Sequence, residues 1–244
     1  MTSASVGVEA VGTQRRVVIS GLPLTAVEAR ELEIVFEQMA EDRDDIHVVT
    51  LISAGPDFCP GAAADLDPLT CGSDPAAAIA AFPGPVVVAM RGVVSSVGLE
   101  LALAADLRIA DATARFALRD VADGRLPCWG GTQRLPRLAG RSVAARMLLA
   151  GEELDAAAAA ACGLVHQVAT DLAATAGDTA GRLDALAPLA LAAAKEALAR
   201  GPELTMRHAL ELEGDLNHLL QTTTDRAEGL AAFFGKRAPR FTGA

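Results

Sequence analysis

The chain has 244 residues, of which 51% are hydrophobic, and a formal net charge of −10. No uninterrupted apolar stretch approaches the roughly 20 residues of a membrane-spanning helix, and the first residues lack the features of a signal peptide. The acidic balance and the absence of basic runs argue against a nucleic-acid partner. The four cysteines show neither paired nor zinc-type spacing, so we expect reduced thiols, no metal site and a cytoplasmic protein.

The first predicted elements are a strand, a helix and a second strand. Val17–Ser20 is a short apolar run typical of a strand. The next segment, Thr25–Glu41, carries apolar residues at helical spacing, and Thr25 with Glu28 predicts a capping box at its start. A charged turn is predicted at 42–45. The β-rich run His47–Ser53 then predicts a buried strand.

The middle of the chain continues to alternate between helix and strand. An Ala-rich helix is predicted at 75–82, and a strand at 86–90. A helix at 98–105 and strands at 107–110 and 116–118 follow. This alternation is typical of an α/β architecture.

The last third is predicted to be mostly helical. Helices at 142–150 and 152–161 precede a short strand at 164–168. Beyond that strand we expect only helices, at 172–186, 188–200, 204–220 and 224–234. The change in pattern predicts a core over 1–186 and a helical region over 187–244.

Two segments place backbone amides where they could meet a ligand. In the loop Phe58–Asp65, Gly61 allows an unusual backbone conformation, and its small neighbours let a ligand approach the amides closely. In Met90–Glu100, a strand ends and a helix starts near Val97 or Gly98, and free N–H groups at a helix start attract negative charge. The alternative for the loop Phe58–Asp65 is an ordinary strand-to-helix connection.

Two acidic residues accompany these segments. Glu100 falls in the first turn of its helix, where it either serves a ligand site or only stabilises the helix dipole. Asp120 follows a short strand and precedes the Gly-rich stretch 130–134. It is either a site residue or a surface acid paired with Arg119 or Arg125.

Three motifs, in this order and spacing, resemble the enoyl-CoA hydratase/isomerase (crotonase) family. They are Phe58-Cys-Pro-Gly61, the run from Pro85 to Asp106, and the run from Asp120 to Leu135. The similarity extends to Pro188–Glu196 and to the tail around Lys236. The resemblance implies a crotonase-like spiral of ββα turns, a C-terminal helical trimerisation region and a site for an acyl-CoA thioester.

Carried over by position, the resemblance implies a role for each residue of the site. The oxyanion-hole amides fall on Ala62 and Val97, and the two hydratase acids on Glu100 and Asp120. The residues expected to contact substrate or coenzyme A are Pro60, Gly61, Ala64, Gly98, Cys128, Trp129, Lys236 and Arg237. No separate cofactor is implied, since coenzyme A is part of the substrate, and the expected assembly is a homotrimer or a dimer of trimers.

The sequence departs from the family pattern at the centre of this site. Val97 stands where glycine is usual, so we expect either strain there, if φ is positive, or a narrowed thioester site. Asp120 stands for the usual glutamate and reaches about 1.5 Å less far, one C–C bond. Cys128-Trp129 stands in a loop usually rich in glycine and predicts a bulkier acyl pocket. Asp65 lies beyond the usual position of the loop aspartate, and Arg91 replaces an asparagine.

Three hypotheses follow from these observations. The first is an enoyl-CoA hydratase that uses Glu100 and Asp120, because both positions remain acidic. The second is double-bond isomerisation or another enolate reaction with one dominant carboxylate. The third is a catalytically silent acyl-CoA-binding protein, suggested by Val97 and the altered loops.

Overall fold

The computed structural model describes residues 5–42 and 45–244. The strands are β1 (Gly7–Val11), β2 (Gln14–Ile19), β3 (Val48–Ser53), β4 (Val86–Met90), β5 (Val93–Ser95), β6 (Leu107–Asp111), β7 (Arg115–Ala117), β8 (Leu154–Asp155) and β9 (Gln167–Ala169). The α-helices are α1 (Ala26–Glu41), α2 (Pro75–Ala81), α3 (Val97–Ala104), α4 (Gly131–Ala139), α5 (Arg141–Leu149), α6 (Ala156–Ala161), α7 (Leu172–Asp184), α8 (Pro188–Arg200), α9 (Met206–Leu220) and α10 (Thr224–Gly235). Short 3₁₀ turns span Asp120–Asp123 and Gly201–Glu203.

Two sheets organise the core. The larger has the order β1-β2-β3-β4-β6-β9, and all its pairs are parallel except β1 with β2. The smaller has the order β5-β7-β8. Each turn of the chain therefore adds one strand to each sheet in the middle of the molecule, β4 then β5 and β6 then β7. This winding is the spiral expected from the resemblance.

The large sheet is covered on both faces. Helix α7 packs against β3, β4 and β6 on one face, where Val87, Ile109 and Ala176 share a small apolar cluster. The main core lies on the other side and contains apolar residues of α1, α2 and α3. Burial on both faces explains why β3 and β4 read as nearly continuous hydrophobic runs.

Most predicted elements are confirmed, with several shifted boundaries. The predicted capping box at the start of α1 is only half formed. Thr25 accepts the N–H of Glu28 at 3.1 Å, but the Glu28 carboxylate turns to the Ser20 N–H at 2.7 Å. The predicted helix at 152–161 is wrong at its start, because Leu154–Asp155 is a strand and Asp155 caps α6. The charged turn predicted at 42–45 includes residues 43 and 44, which lie outside the described residues.

Three elements carried no clear sequence signal. β1 lies at a sheet edge and is fully exposed, so burial left no pattern on it. β5 is only three residues long, and it directly precedes α3. α4 contains Pro136, which usually argues against a helix interior.

The predicted helical C-terminal region is present, whereas the proposed boundary at 186/187 stays a prediction. Helices α8 and α9 contain no buried residue. Lys195 of α8 ties this region to the core, since its Nζ lies 2.8 Å from Asp106 Oδ2 and 2.9 Å from the Gly84 carbonyl oxygen.

Candidate active site

The turn between β5 and α3 has a strained backbone at Ser96. Its φ of 49° and ψ of −120° match the first central position of a type II′ turn, which is dominated by glycine. Val97 begins α3 and is not among the residues with positive φ. Of the two expectations for Val97, strain does not apply, because the strained residue is Ser96, one position earlier. The narrowed thioester site stays a prediction. The Val97 side chain, 1% exposed, is part of the hydrophobic core.

Both backbone amides predicted for the oxyanion hole are free. Within residues 5–42 and 45–244, neither the Ala62 N–H nor the Val97 N–H donates to a protein acceptor. The bridge between Leu24 and Ala62 explains the first case. Leu24 donates to the Gly61 carbonyl oxygen and accepts from the Ala63 N–H, both at 2.8 Å, so the Ala62 N–H faces the opposite side. The Val97 N–H is free because it belongs to the first residue of a helix.

The loop that carries Ala62 is held against the start of α3. Cys59 donates to the Val93 carbonyl oxygen at 3.1 Å and accepts from the Ser95 N–H at 3.0 Å. A Cβ built on Gly98 would lie only 2.6 Å from the Cys59 Cβ and would also meet the Cys59 carbonyl oxygen. Gly98 thus permits a close backbone approach that brings the two free amides into one region.

Glu100 is fully buried, with one carboxylate oxygen bonded and the other free. Its Oε1 accepts the N–H groups of Trp129 and Gly131, each at 2.8 Å. Its Oε2 is buried and has no partner among the described residues. Burial, aided by the negative charge of Asp120, raises the pKa of Glu100 to about 7, although the two amides oppose the shift. The group can therefore hold or release a proton near neutral pH.

Asp120 opens the 3₁₀ turn that follows β7 and is also buried, at 5% exposure. Its Oδ2 has no partner in the described part of the chain. It is not the surface acid paired with Arg119 or Arg125 that its sequence context also allowed. Arg119 pairs with Glu153, and Arg125 pairs with Asp123. Two buried carboxyl groups that each have an oxygen without a described hydrogen-bond partner indicate a binding site for a polar ligand.

The loop before α4 closes over Glu100. Trp129 is 2% exposed, so this large side chain occupies interior space, and the bulkier acyl pocket expected from it stays a prediction. Its indole Nε1 is a third buried polar atom without a described partner. The Cys128 thiol is exposed, and its pKa is raised by partial burial and by the charges of Glu100 and Asp120. Cys128 therefore lies within electrostatic reach of both acids.

The remaining predicted contact residues fall in two places. Pro60 is partly buried, Gly61 is buried with φ of 136°, and Ala64 is exposed, all in the loop that carries Ala62. Among the described residues, no atom lies within 4 Å of a Cβ built on Gly61, so that side of the loop is open. The displaced Asp65 turns away to accept the Ala26 N–H at 3.3 Å.

The two basic residues of the tail belong to the C-terminal helical region rather than to the segments that carry the two acids. Lys236 ends α10 in the left-handed conformation and is exposed. Arg237 forms a double hydrogen bond with the Glu228 carboxylate, at 2.6 and 2.7 Å. Among the residues that the structure describes, neither forms a hydrogen bond with Glu100, Asp120 or the two free amides. Their contact with coenzyme A stays a prediction.

Two contributors to the site were missed from the sequence. Gly131 donates its N–H to Glu100, and a Cβ there would lie 3.1 Å from Oε1 and 2.8 Å from the Pro127 Cβ. The Gly130-Gly131 pair was a visible signal for such a close approach. Ser96 gave no comparable signal, because its role depends on a backbone conformation that serine rarely adopts.

The fold and the site together define a spiral α/β protein with two free amides near two buried carboxyl groups. Residues 23–244 match the model of the family described as enoyl-CoA hydratase/isomerase. The chain belongs to the enoyl-CoA hydratase/isomerase family.

Curated relatives and solved structures agree with this assignment. The 2,3-dehydroadipyl-CoA hydratase of Escherichia coli is 41% identical over 68% of this chain and 66% of its own length. The mitochondrial enoyl-CoA hydratase domain-containing protein 2 of Bos taurus is 43% identical over 68% of this chain and 58% of its own. The chain thus spans less than two thirds of the length of these relatives.

The structural likeness is more extensive. The enoyl-CoA hydratase of Bacillus anthracis superposes with a TM-score of 0.90 at 30% identity, over 98% of this chain and 100% of that one. An enoyl-CoA hydratase from Polaromonas gives 0.84 at 27% identity, over 97% and 99%. These likenesses confirm the crotonase-like fold. Among the described residues, none of the helices combines the length and apolar character needed to cross a membrane.

Proposed function

We propose that this protein adds water across the α,β double bond of an acyl-CoA thioester. The observation that carries the proposal is the combination of two free amides, Ala62 and Val97, with two buried acids. Each acid has a side-chain oxygen without a hydrogen-bond partner among the described residues. Hydration places negative charge on the thioester oxygen. Two N–H donors fixed by the backbone stabilise that charge, each by about 2.7–4 kcal/mol.

The two acids supply the proton transfers. Glu100, with a pKa of about 7, accepts a proton from the water that attacks the β-carbon. Asp120 contacts the same water from the other side and donates a proton to the α-carbon. One O–H bond of the water breaks, and one C–O bond and one C–H bond form as the double bond is lost. The proton held by Glu100 then passes to Asp120, which returns both acids to their starting state. No separate cofactor enters this scheme, because coenzyme A arrives with the substrate.

Two relatives give the proposal a chemical context. One is named as a hydratase of 2,3-dehydroadipyl-CoA, and another, from Thauera aromatica and 40% identical over 66% of this chain, as a hydratase of (E)-benzylidenesuccinyl-CoA. We therefore place the substrate among 2-enoyl-CoA thioesters. Lys236 and Arg237 are proposed to meet the phosphates of coenzyme A, across a subunit boundary.

We also propose that the chain assembles into a homotrimer or a dimer of trimers through its C-terminal helices. Large apolar side chains there face solvent in the single chain, including Leu198 at 78%, Met206 at 76% and Phe234 at 79%. Exposed apolar surface on this scale is typical of a protein interface.

An assay of the hydration of crotonyl-CoA and of longer 2-enoyl-CoA esters tests the proposal. The loss of absorbance of the enoyl thioester is the readout. Glu100→Gln and Asp120→Asn are each expected to lower kcat by about 10²–10⁴, the usual contribution of a general acid or base. Asp123→Asn is the matched control, since Asp123 lies in the same 3₁₀ turn but is exposed and paired with Arg125. Full turnover in both acid variants would refute the assignment.

The same substrates separate the alternatives. A shifted double bond without added water would identify an isomerase with one dominant carboxylate. Tight binding of acyl-CoA without turnover of any substrate would identify a silent binding protein.

A further inference from the structure

Ser96 is hydrogen-bonded to Glu100 and to the segment that precedes Asp120. Its peptide unit carries the free N–H of Val97, and its carbonyl oxygen accepts the N–H of Glu100 at 3.0 Å. Its own N–H donates to the Ala117 carbonyl oxygen at 3.0 Å, and its hydroxyl accepts the Arg119 N–H at 3.4 Å. The last two bonds hold the segment that leads directly into Asp120.

The backbone of Ser96 is costly to maintain. A non-glycine residue with φ of 49° and ψ of −120° adopts a sparsely populated, strained conformation. Lys236, the other such residue described, has ψ of 42° and lies in the milder left-handed helical region. Glycine at 96 would remove the strain but also the hydroxyl. A strained residue at a site, bonded through its side chain, points to a positional role.

The hydroxyl matters because residue 120 is an aspartate. The carboxylate of Asp120 reaches about 1.5 Å less far than that of a glutamate at the same backbone position. A proton transfer needs heavy atoms about 2.6–3.2 Å apart. The shorter carboxylate therefore falls outside that distance unless the backbone of residue 120 lies closer to the reacting atoms. The Arg119 N–H lies 3.4 Å from Ser96 Oγ, a long hydrogen bond that connects that backbone to the turn before α3.

We propose that Ser96 is a positioning residue that couples the turn carrying the Val97 amide to Asp120 and compensates for the shorter acid. The inference rests on the proposed function, in which both groups act on one acyl-CoA. It links the strained serine at 96 to the aspartate at 120, which departs from the family pattern.

The experiment compares Ser96→Ala, which keeps the strain and loses the hydroxyl, with Ser96→Gly, which loses both. In each variant kcat should fall roughly 10- to 100-fold, the range expected when a catalytic group is displaced by about 1 Å. KM should change less than about twofold, since the acyl-CoA contacts remain. Ser95→Ala is the matched control, because Ser95 pairs with Ala117 through the backbone alone. Wild-type kcat in both Ser96 variants would overturn the proposal.

A second background tests the compensation itself. In the Asp120→Glu background the longer side chain restores the reach of the acid. Removal of the Ser96 hydroxyl should therefore lower kcat by a smaller factor than it does in the protein that has Asp120. Equal losses in the two backgrounds, or an Asp120→Glu protein without turnover, would contradict the compensation.

Amide hydrogen exchange provides a readout that does not depend on activity. The Arg119 amide should exchange faster in Ser96→Ala and Ser96→Gly than in the wild type and in Ser95→Ala. If the wild type hydrates no acyl-CoA, the proposed function fails, but the exchange rate still decides whether Ser96 holds the segment before Asp120. An unchanged Arg119 rate would refute the positioning role.

Discussion

Glu100 shows how a single residue acquires unusual chemistry from its surroundings. A glutamate in the first turn of an exposed helix would simply stabilise the helix dipole. Here the side chain is fully buried, and two amide donors hold only one of its oxygens. Burial dominates over these donors, so the carboxyl group keeps a proton to unusually high pH.

The raised pKa of Glu100 makes a testable prediction about stability. Because its pKa rises from 4.5 to about 7 on folding, the folded state binds the proton more tightly than the unfolded state. This group therefore favours folding below pH 4.5, and its contribution is lost as the pH rises to about 7, a change of about 3 kcal/mol. Glu100→Gln removes this dependence and keeps an acceptor for the Trp129 and Gly131 amides.

Urea unfolding at several pH values measures the difference. Relative to the wild type, Glu100→Gln should gain about 3 kcal/mol in free energy of unfolding between pH 4.5 and pH 8. Parallel curves for the two proteins would show that burial does not raise the pKa of Glu100. Asp123→Asn should follow the wild type.

At the scale of elements, the start of α3 carries most of the site. It presents the Val97 amide, places Glu100 one turn later and packs its backbone against Cys59. Gly98 makes that packing possible, because a Cβ there would collide with backbone and side-chain atoms of Cys59. The glycine is required by tertiary packing rather than by its own φ, which is not positive.

Gly98→Ala should therefore destabilise the protein by about 1–3 kcal/mol, the usual cost of overpacking. It should also lower turnover, since the loop carrying Ala62 must move away from Val97. Gly177→Ala is the matched control, because Gly177 lies within α7 and no described atom lies within 4 Å of a Cβ there. That change should stabilise the helix by about 0.5–1 kcal/mol. Thermal unfolding of both variants gives the comparison, and equal shifts would contradict the close approach at Gly98.

At the scale of the whole molecule, the C-terminal helices have too little core of their own. Neither α8 nor α9 buries a residue, although α8 contains three leucines and α9 contains five. A second subunit packed against these helices explains the exposed leucines, because burial of apolar side chains away from water is favourable.

Substitutions on this surface should change the size of the protein in solution. The wild type is expected to sediment as a multiple of its 25.0 kDa chain. Leu198→Lys combined with Met206→Lys should shift it towards the single chain, because each lysine places a charge in the apolar interface. Leu149→Lys, at a residue 79% exposed in the core region, is the control. A wild-type protein that sediments as a single chain would contradict the proposed assembly.

Much of the architecture could be predicted from the sequence, because burial leaves a periodic trace. The buried strands β3 and β4 and the helices α1 and α8 were placed within a few residues of their observed bounds. The exposed β1 and the three-residue β5 left no such trace. The boundary at α6 was missed because Leu154–Asp155 is a strand only through its pairing with β7.

The sequence by itself determined the α/β order, the helical C-terminal region and the acidic identity of residues 100 and 120. Only the tertiary structure decided that the Ala62 and Val97 amides are free and that Ser96 rather than Val97 bears the strain. It also decided that only one of the two Glu100 carboxyl oxygens is hydrogen-bonded among the described residues. The physical reason is that residue type and spacing are local properties. Whether an amide finds an acceptor, or a carboxyl loses its water, depends on segments far apart in the chain.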